Sequence, residues 1–357
     1  MLSSWSITRF FEKFTKTNIK LFQKVFNELF IWKLNIEKPK IIELFIDTMV
    51  MENNSSQKRE GIGWTYKKTN GYQPFNIIWN NLLVDTVLKE GNKHSLSEGT
   101  AREKIFKTIN LIRNQYSKDV KIIVKMDGGF LDEKLLNTLD NMNVYFITVE
   151  HWRYSTKKLV EEMIEKAEFS YYKNQKNSYK YTDFGFRCKS WSKFFTGIYV
   201  ELETKEKQYI LNFVRDKTLL ITNIKNIEND NELNKIFSVE GIIKLNHSRG
   251  KSELTHRGIK NFGTEQLPFL NFIKNKAFYY IMTIGFFLFE CFKKDVLKDI
   301  IPINSYADTI RRKVIDIAGK IIKTSRKISV KISEAAYAFL NPENLLKNIK
   351  NTIPLLN

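Results

Sequence analysis

Two short apolar runs constrain this chain more than anything else in its sequence. Residues 41–50 and 120–126 are dense in aliphatic and β-branched side chains, and each is bounded by turn formers. That length and composition predict buried strands rather than helices. Pro39 precedes the first run and Asn53-Asn54-Ser55-Ser56 follows it. Each run carries a carboxylate: Asp47 lies within the first and Asp127 directly follows the second. A carboxylate in an apolar strand is costly unless it is paired or holds a metal. At a strand end it also serves as an ordinary turn former. Asp127 is followed by Gly128-Gly129. This puts an acid at the C-terminal edge of a strand, where sites in open sheets collect, although a plain Asp-Gly-Gly turn is spelled the same way.

The segments around these runs fix an order. Residues 1–38 read as helix, with Phe10, Phe11, Phe14, Phe22, Phe26, Leu29 and Phe30 as a core-facing stripe. Residues 75–79 and 82–88 read as two strands joined at Asn80-Asn81, a hairpin signal. Residues 101–116 read as a helix with Ile105, Ile109 and Ile112 on one face; residues 131–142 are a second helix and 144–149 another strand. The order is strand, strand, strand, helix, strand, helix, strand. Beyond residue 150 the pattern changes to a charged helix (155–169), a stretch rich in tyrosine and lysine (171–181) and strand-like runs at 194–202, 208–214 and 219–224. Residues 277–292 are apolar but shorter than the ~20 residues a bilayer requires, and contain Glu290, so a buried helix is expected.

Between residues 246 and 268, Arg249, Glu253 and Lys260 stand at offsets of four and eleven. On a helix these return to nearly the same face. One acid between two bases can hold a cation while the bases hold phosphates; it can equally be a solvated face with an i, i+4 pair. The 58 Lys and Arg against 39 Asp and Glu give a net charge of +19. Such an excess favours a polyanionic partner, nucleic acid before membrane, although the richness in Lys, Asn, Ile and Phe also fits the bias of an AT-rich genome. Two distant cysteines, Cys188 and Cys291, and four histidines without ligand spacing exclude a disulfide framework or a zinc site and suit a reducing compartment. Arg9, Glu12 and Lys13 interrupt the N-terminal apolar residues, so no signal peptide is read there. His94 reads as a residue satisfying a loop backbone or facing a site.

Arg249, three residues, Glu253, six residues, Lys260 resembles the Tyr-Arg-Glu-Lys signature of DDE transposases encoded by bacterial insertion sequences (transposase DDE domain, group one). Asn246 stands where the signature has its tyrosine. Asp127-Gly128-Gly129-Phe130 is similar to the family's Asp-Ser-Gly-Phe around the second catalytic aspartate, with Gly128 replacing serine. Residues 57–75, 89–95, 262–268, 272–292, 306–313 and 317–327 also resemble family segments, in order. The resemblance implies an α/β fold: a ribonuclease-H-like mixed-sheet core with a β-rich insertion and flanking helices. The expected organisation is an N-terminal helical segment (1–38), a first part of the core (39–150), the β-rich insertion (151–245), C-terminal core helices carrying the third acid (246–300) and a basic helical tail (301–357). Residues 3–10 resemble a segment well inside the usual family chain, so an upstream DNA-end-binding domain is expected to be missing.

By the same resemblance, Asp47, Asp127 and Glu253 are the catalytic, metal-holding acids, with Mg²⁺ as cofactor and Mn²⁺ able to substitute. Arg249 and Lys260 would position phosphates, and Trp191, set among cations, would stack on a base, although it reads equally as a core tryptophan. Eight Lys and Arg against the single acid Asp316 between residues 311 and 331 fit a phosphate-tracking helix led by Arg311, Arg312 and Lys313, or a solvated helix face. The implied function is a transposase that cuts transposon ends and joins them to target DNA. Its partners are double-stranded DNA and, on DNA, a second copy; its place is the bacterial cytoplasm at the nucleoid, with no membrane. The other reading is a truncated, catalytically silent remnant acting as a basic DNA-binding protein.

Overall fold

The structure, a computed structural model, describes residues 4–56, 58–93, 100–150, 154–174, 177–203, 217–224, 231–248, 250–325 and 327–352. The expected N-terminal helix is two helices, α1 (Ser4–Glu12) and α2 (Leu21–Glu37). The break is chemical. The Asn18 side chain accepts from the Thr15 N–H at 2.7 Å and donates to the Lys13 carbonyl at 2.8 Å, offering the backbone an alternative to the helix ladder. Lys38 then ends α2 in the left-handed conformation (φ 44°), with Pro39 next.

The chain enters the sheet at β1 (Ile41–Thr48). A small antiparallel sheet follows, made of β2 (Met51–Glu52), β3 (Gly63–Trp64) and β4 (Asn70–Tyr72). Strands this short carry no readable periodicity, and the sequence reading missed them. Next come β5 (Phe75–Trp79) and β6 (Leu82–Val87). Asn80 and Asn81 join them with φ values of 49° and 66°, the paired positive angles of a type I′ hairpin turn. Helix α3 (Thr100–Gln115), β7 (Lys121–Met126), α4 (Glu133–Asn141) and β8 (Tyr145–Glu150) complete the expected order.

Strand β1 pairs antiparallel with β5 and parallel with β7; β5–β6 is antiparallel and β7–β8 parallel. The spatial order β6-β5-β1-β7-β8 is that of a ribonuclease-H-like core. The block beyond it holds α5 (Tyr154–Ile164), β9 (Ser170–Lys173), β10 (Ser178–Phe186), β11 (Phe195–Glu203) and β12 (Lys217–Thr222). It does not form a separate sheet. Strand β12 pairs antiparallel with β8, and β11, β10 and β9 follow outward, giving nine strands in one sheet. The expected run at 208–214 lies outside the described residues.

Alternation decides which face meets which helix. Ile42, Leu44 and Ile46 of β1 pack with Ile105, Ile109 and Ile112 of α3 and with Leu135, Leu136 and Leu139 of α4. The opposite face puts Phe45 against the long helix α9, which follows α6 (Asn231–Phe237), α7 (Val239–His247) and α8 (Gly250–Phe262). Helix α9 (Phe272–Asp295) buries Ala277, Tyr279, Tyr280, Met282 and Phe286, as expected of a core helix. Among the described residues no helix is long and apolar enough to cross a membrane. The basic segment 311–331 is not a continuous helix. A short α10 (Ala307–Ile310) runs into a π-turn, and a hairpin of β13 (Gly319–Lys323) and β14 (Ile328–Ile332), rich in Lys and β-branched residues, follows. Helices α11 (Glu334–Leu340) and α12 (Pro342–Thr352) follow.

Candidate active site

Asp47 shares the parity of Phe45, so it points to the face covered by the C-terminal helices. The β1–β7 register runs from Ile41↔Lys121 to Ile46↔Met126; one step further sets Asp47 beside Asp127 at the C-terminal edge of two parallel strands. The Asp47 Oδ1 accepts from the Thr48 N–H at 2.7 Å. Asp127 caps the short 3₁₀ turn Gly128–Phe130, its Oδ1 accepting from the Gly129 N–H at 2.8 Å. A Cβ at Gly129 would lie 3.0 Å from that oxygen, so a side chain there would press on the carboxylate. Helix α8 brings the third acid: Glu253 stands in its first turn with its side chain exposed.

These three acids, from three separate stretches of chain, line one cleft of about 410 Å³ together with Tyr66, Lys67, His256, Arg257 and Lys260. Tyr66 registers their common charge. Its hydroxyl donates to the Thr48 carbonyl at 3.3 Å, although the residue as a whole stays exposed. Burial and the negative charges of Asp47, Asp127 and Glu253 push that hydroxyl up to about 12. His256 is held the other way. Burial, helped by the positive charges of Lys260 and Lys67, lowers its pKa to about 4, so the imidazole is neutral near pH 7. Lys260 pairs with Glu265.

Not every residue expected at the site is brought to it. Arg249 and His94 lie outside the described residues; α8 begins at Gly250, after α7 has ended at His247. Trp191 is 8% exposed and does not present its ring to a base. It packs edge-on against Phe186 and Phe195, at 6.2 and 5.9 Å between ring centres, inside the main core. Arg311, Arg312 and Lys313 are exposed on the π-turn and do not line the cleft; Arg311 pairs with Asp316 at 2.9 Å and Lys313 lies over the Phe339 ring. Sequence reasoning missed Tyr66, Lys67, His256 and Arg257. Arg257 was findable, because it stands four residues after Glu253, the spacing that singled out Arg249 four before it.

Among the described residues, no group of three or more His, Cys, Asp or Glu side chains is drawn together tightly enough to chelate an ion. The raised Tyr66 hydroxyl is a sign of the negative field these three carboxylates share. The donor set itself, carboxylate oxygen only, fits a hard divalent cation such as Mg²⁺ or Mn²⁺.

The sequence profile of a family described as transposase DDE domain, group 1, matches residues 1–353. No curated protein matches the chain. Among solved structures, the chain is similar to a piggyBac transposase in a synaptic complex with hairpin DNA, at 10% identity and a TM-score of 0.42, over 92% of this chain and 60% of that one. The chain thus spans 60% of the length of that solved protein.

Proposed function

The chain belongs to the group 1 transposase DDE domain family, and from that premise we propose that it is a DNA transposase that cuts transposon ends and joins them to target DNA. The observation that carries this reading is the meeting of Asp47, Asp127 and Glu253 in one cleft edged by Lys67, Arg257 and Lys260. Acids alone mark many sites. Acids beside a set of cations suit a substrate that is itself anionic and is cut at a phosphate.

Asp47 and Asp127 would hold divalent ions between them, and Glu253 would complete one ion's shell. When bound, a pair of Mg²⁺ ions supplies the Lewis acidity for in-line displacement at phosphorus. The chain's own groups do the rest. Lys67, Arg257 and Lys260 orient the scissile strand through its phosphates; Arg249 is proposed for the same task. In the first reaction a water oxygen bonds to phosphorus, the bond to the 3′ oxygen breaks, and a 3′ hydroxyl is released. In the second, that hydroxyl attacks a target phosphate and displaces a target 3′ oxygen. We place the protein with a bacterial insertion sequence, acting on double-stranded DNA as a homodimer assembled there.

Supercoiled-plasmid nicking tests the proposal, with Mg²⁺ or Mn²⁺ and EDTA as control. Wild-type chain should nick the plasmid, and Asp127→Asn should fall to the EDTA background, because the amide keeps the shape but not the charge. Nicking that survives in the variant would move the activity away from these acids. A wild-type chain that binds metal and DNA but never nicks would be a DNA-binding protein only.

A further inference from the structure

Beneath the acids a row of buried polar side chains crosses the sheet, and the phosphoryl transfer proposed above leaves it unused. In register, Asp47 of β1 faces Asn76 of β5, and Asn76 faces Thr86 of β6. Asn76 and Thr86 are 0% and 2% exposed, and Tyr279 of α9, at 0%, closes over them. The Asn76 Oδ1 meets the hydroxyls of Thr86 at 2.7 Å and Tyr279 at 3.1 Å. Its amide nitrogen is thereby left facing the Nε2 of His256, on α8, at 3.2 Å. The other ring nitrogen of His256, Nδ1, lies 3.8 Å from Asp47 Oδ2.

The chemistry of this row selects one tautomer. An amide N–H facing Nε2 requires a lone pair there. A neutral ring must then carry its proton on Nδ1, the nitrogen turned to the carboxylate. The opposite tautomer would set a lone pair against Asp47 and a donor against a donor. A ring whose Nε2 accepts from Asn76 carries one proton only and is neutral. Such a group orients a carboxylate without adding a cation to compete with the metal.

We propose that His256 is a positioning residue: fixed through Asn76, its Nδ1–H steers the Oδ2 edge of Asp47 while the Thr48 N–H holds Oδ1. The separation of 3.8 Å is beyond hydrogen bonding in the present conformation, so the proposed contact requires the two side chains to approach by a little under about 1 Å, into the hydrogen-bond range. The same clamp fixes the rotation of α8. Glu253 stands three residues before His256 on that helix, so anchoring the histidine to the sheet also determines where the third acid is presented. This inference rests on reading the three acids as metal ligands.

Two substitutions separate its parts. His256→Asn keeps an N–H near the Nδ1 position and gives up the contact with Asn76. His256→Gln reaches Asn76 and loses the donor toward Asp47. The full chain is titrated with Mn²⁺ by calorimetry, its thermal melting is followed, and the tautomer of wild-type His256 is read from ¹⁵N shifts of labelled histidine. The expected results are an Nδ1–H tautomer, a loss of Mn²⁺ affinity of about threefold for His256→Asn, which keeps the donor and gives up the anchor, and a larger loss of about tenfold or more for His256→Gln, at similar melting temperature. An Nε2–H tautomer overturns the proposal, as does unchanged Mn²⁺ affinity in His256→Gln. Should wild type bind no Mn²⁺, the reading of the acids fails, and the tautomer still decides the clamp by itself. Should His256→Gln not fold, the tautomer and the affinity of His256→Asn decide it.

Discussion

At the scale of single residues, the site is a balance of unpaired preferences. Tyr66 is kept from ionising by burial and by the acids, and His256 is kept from protonating by burial and by the lysines. The second has a consequence for stability. An ordinary histidine titrates near 6.5, so the unfolded chain takes up a proton there while the folded chain resists until about pH 4. The unfolded state therefore binds more protons in that window. Stability is full above about pH 6.5 and is lost as pH falls toward about 4, by roughly 2 kcal/mol at pH 5 from this group alone. Urea denaturation of wild type and His256→Asn at pH 7 and pH 5 checks it: the variant should lose clearly less stability on acidification, and an equal loss would assign the acid sensitivity elsewhere.

At the scale of elements, legibility tracked burial. Strands β1, β5, β6 and β7 could be read because their apolar runs stop at distinct punctuation: Pro39, Asn80-Asn81 and Asp127-Gly128-Gly129. Strands β9 and β10 could not, since tyrosine and lysine spread along them hide the two-residue period. The hairpin of β13 and β14 was taken for a helix because its lysines were counted and its β-branched residues, Ile321, Ile322, Ile328, Val330 and Ile332, were not weighed. At the site, Asp47, Asp127 and Glu253 were singled out from motifs, while His256 acquires a role only through a register across β1, β5 and β6 that no local spacing reveals. Helix α8 carries an element-scale prediction. Arg257 lines the cleft and Lys313 does not. In fluorescence anisotropy across a salt series, Arg257→Ala and Lys67→Ala should each weaken DNA binding and reduce the log–log salt slope by about one. Lys313→Ala should do so less; a larger effect at Lys313 would move the DNA path onto the π-turn and hairpin.

For the whole molecule, the nine-stranded sheet makes strands β9 to β12 one body with the strands before them, because β12 is bonded along β8. Strand β8 thus has neighbours on both sides, β7 and β12. A shortened protein lacking residues 151–245 would keep all three acids yet lay bare the row of N–H and C=O groups on β8 that β12 now occupies. A flat apolar strand with unspent hydrogen bonds is a template for its own kind. Such a deletion should yield thioflavin-positive aggregates rather than a minimal enzyme. A soluble, monomeric, cooperatively melting product would contradict this. Aggregation of the shortened chain would make strands β9 to β12 a built-in cap against self-templated polymerisation, and any economy of sequence in this protein would have to be found elsewhere along the chain.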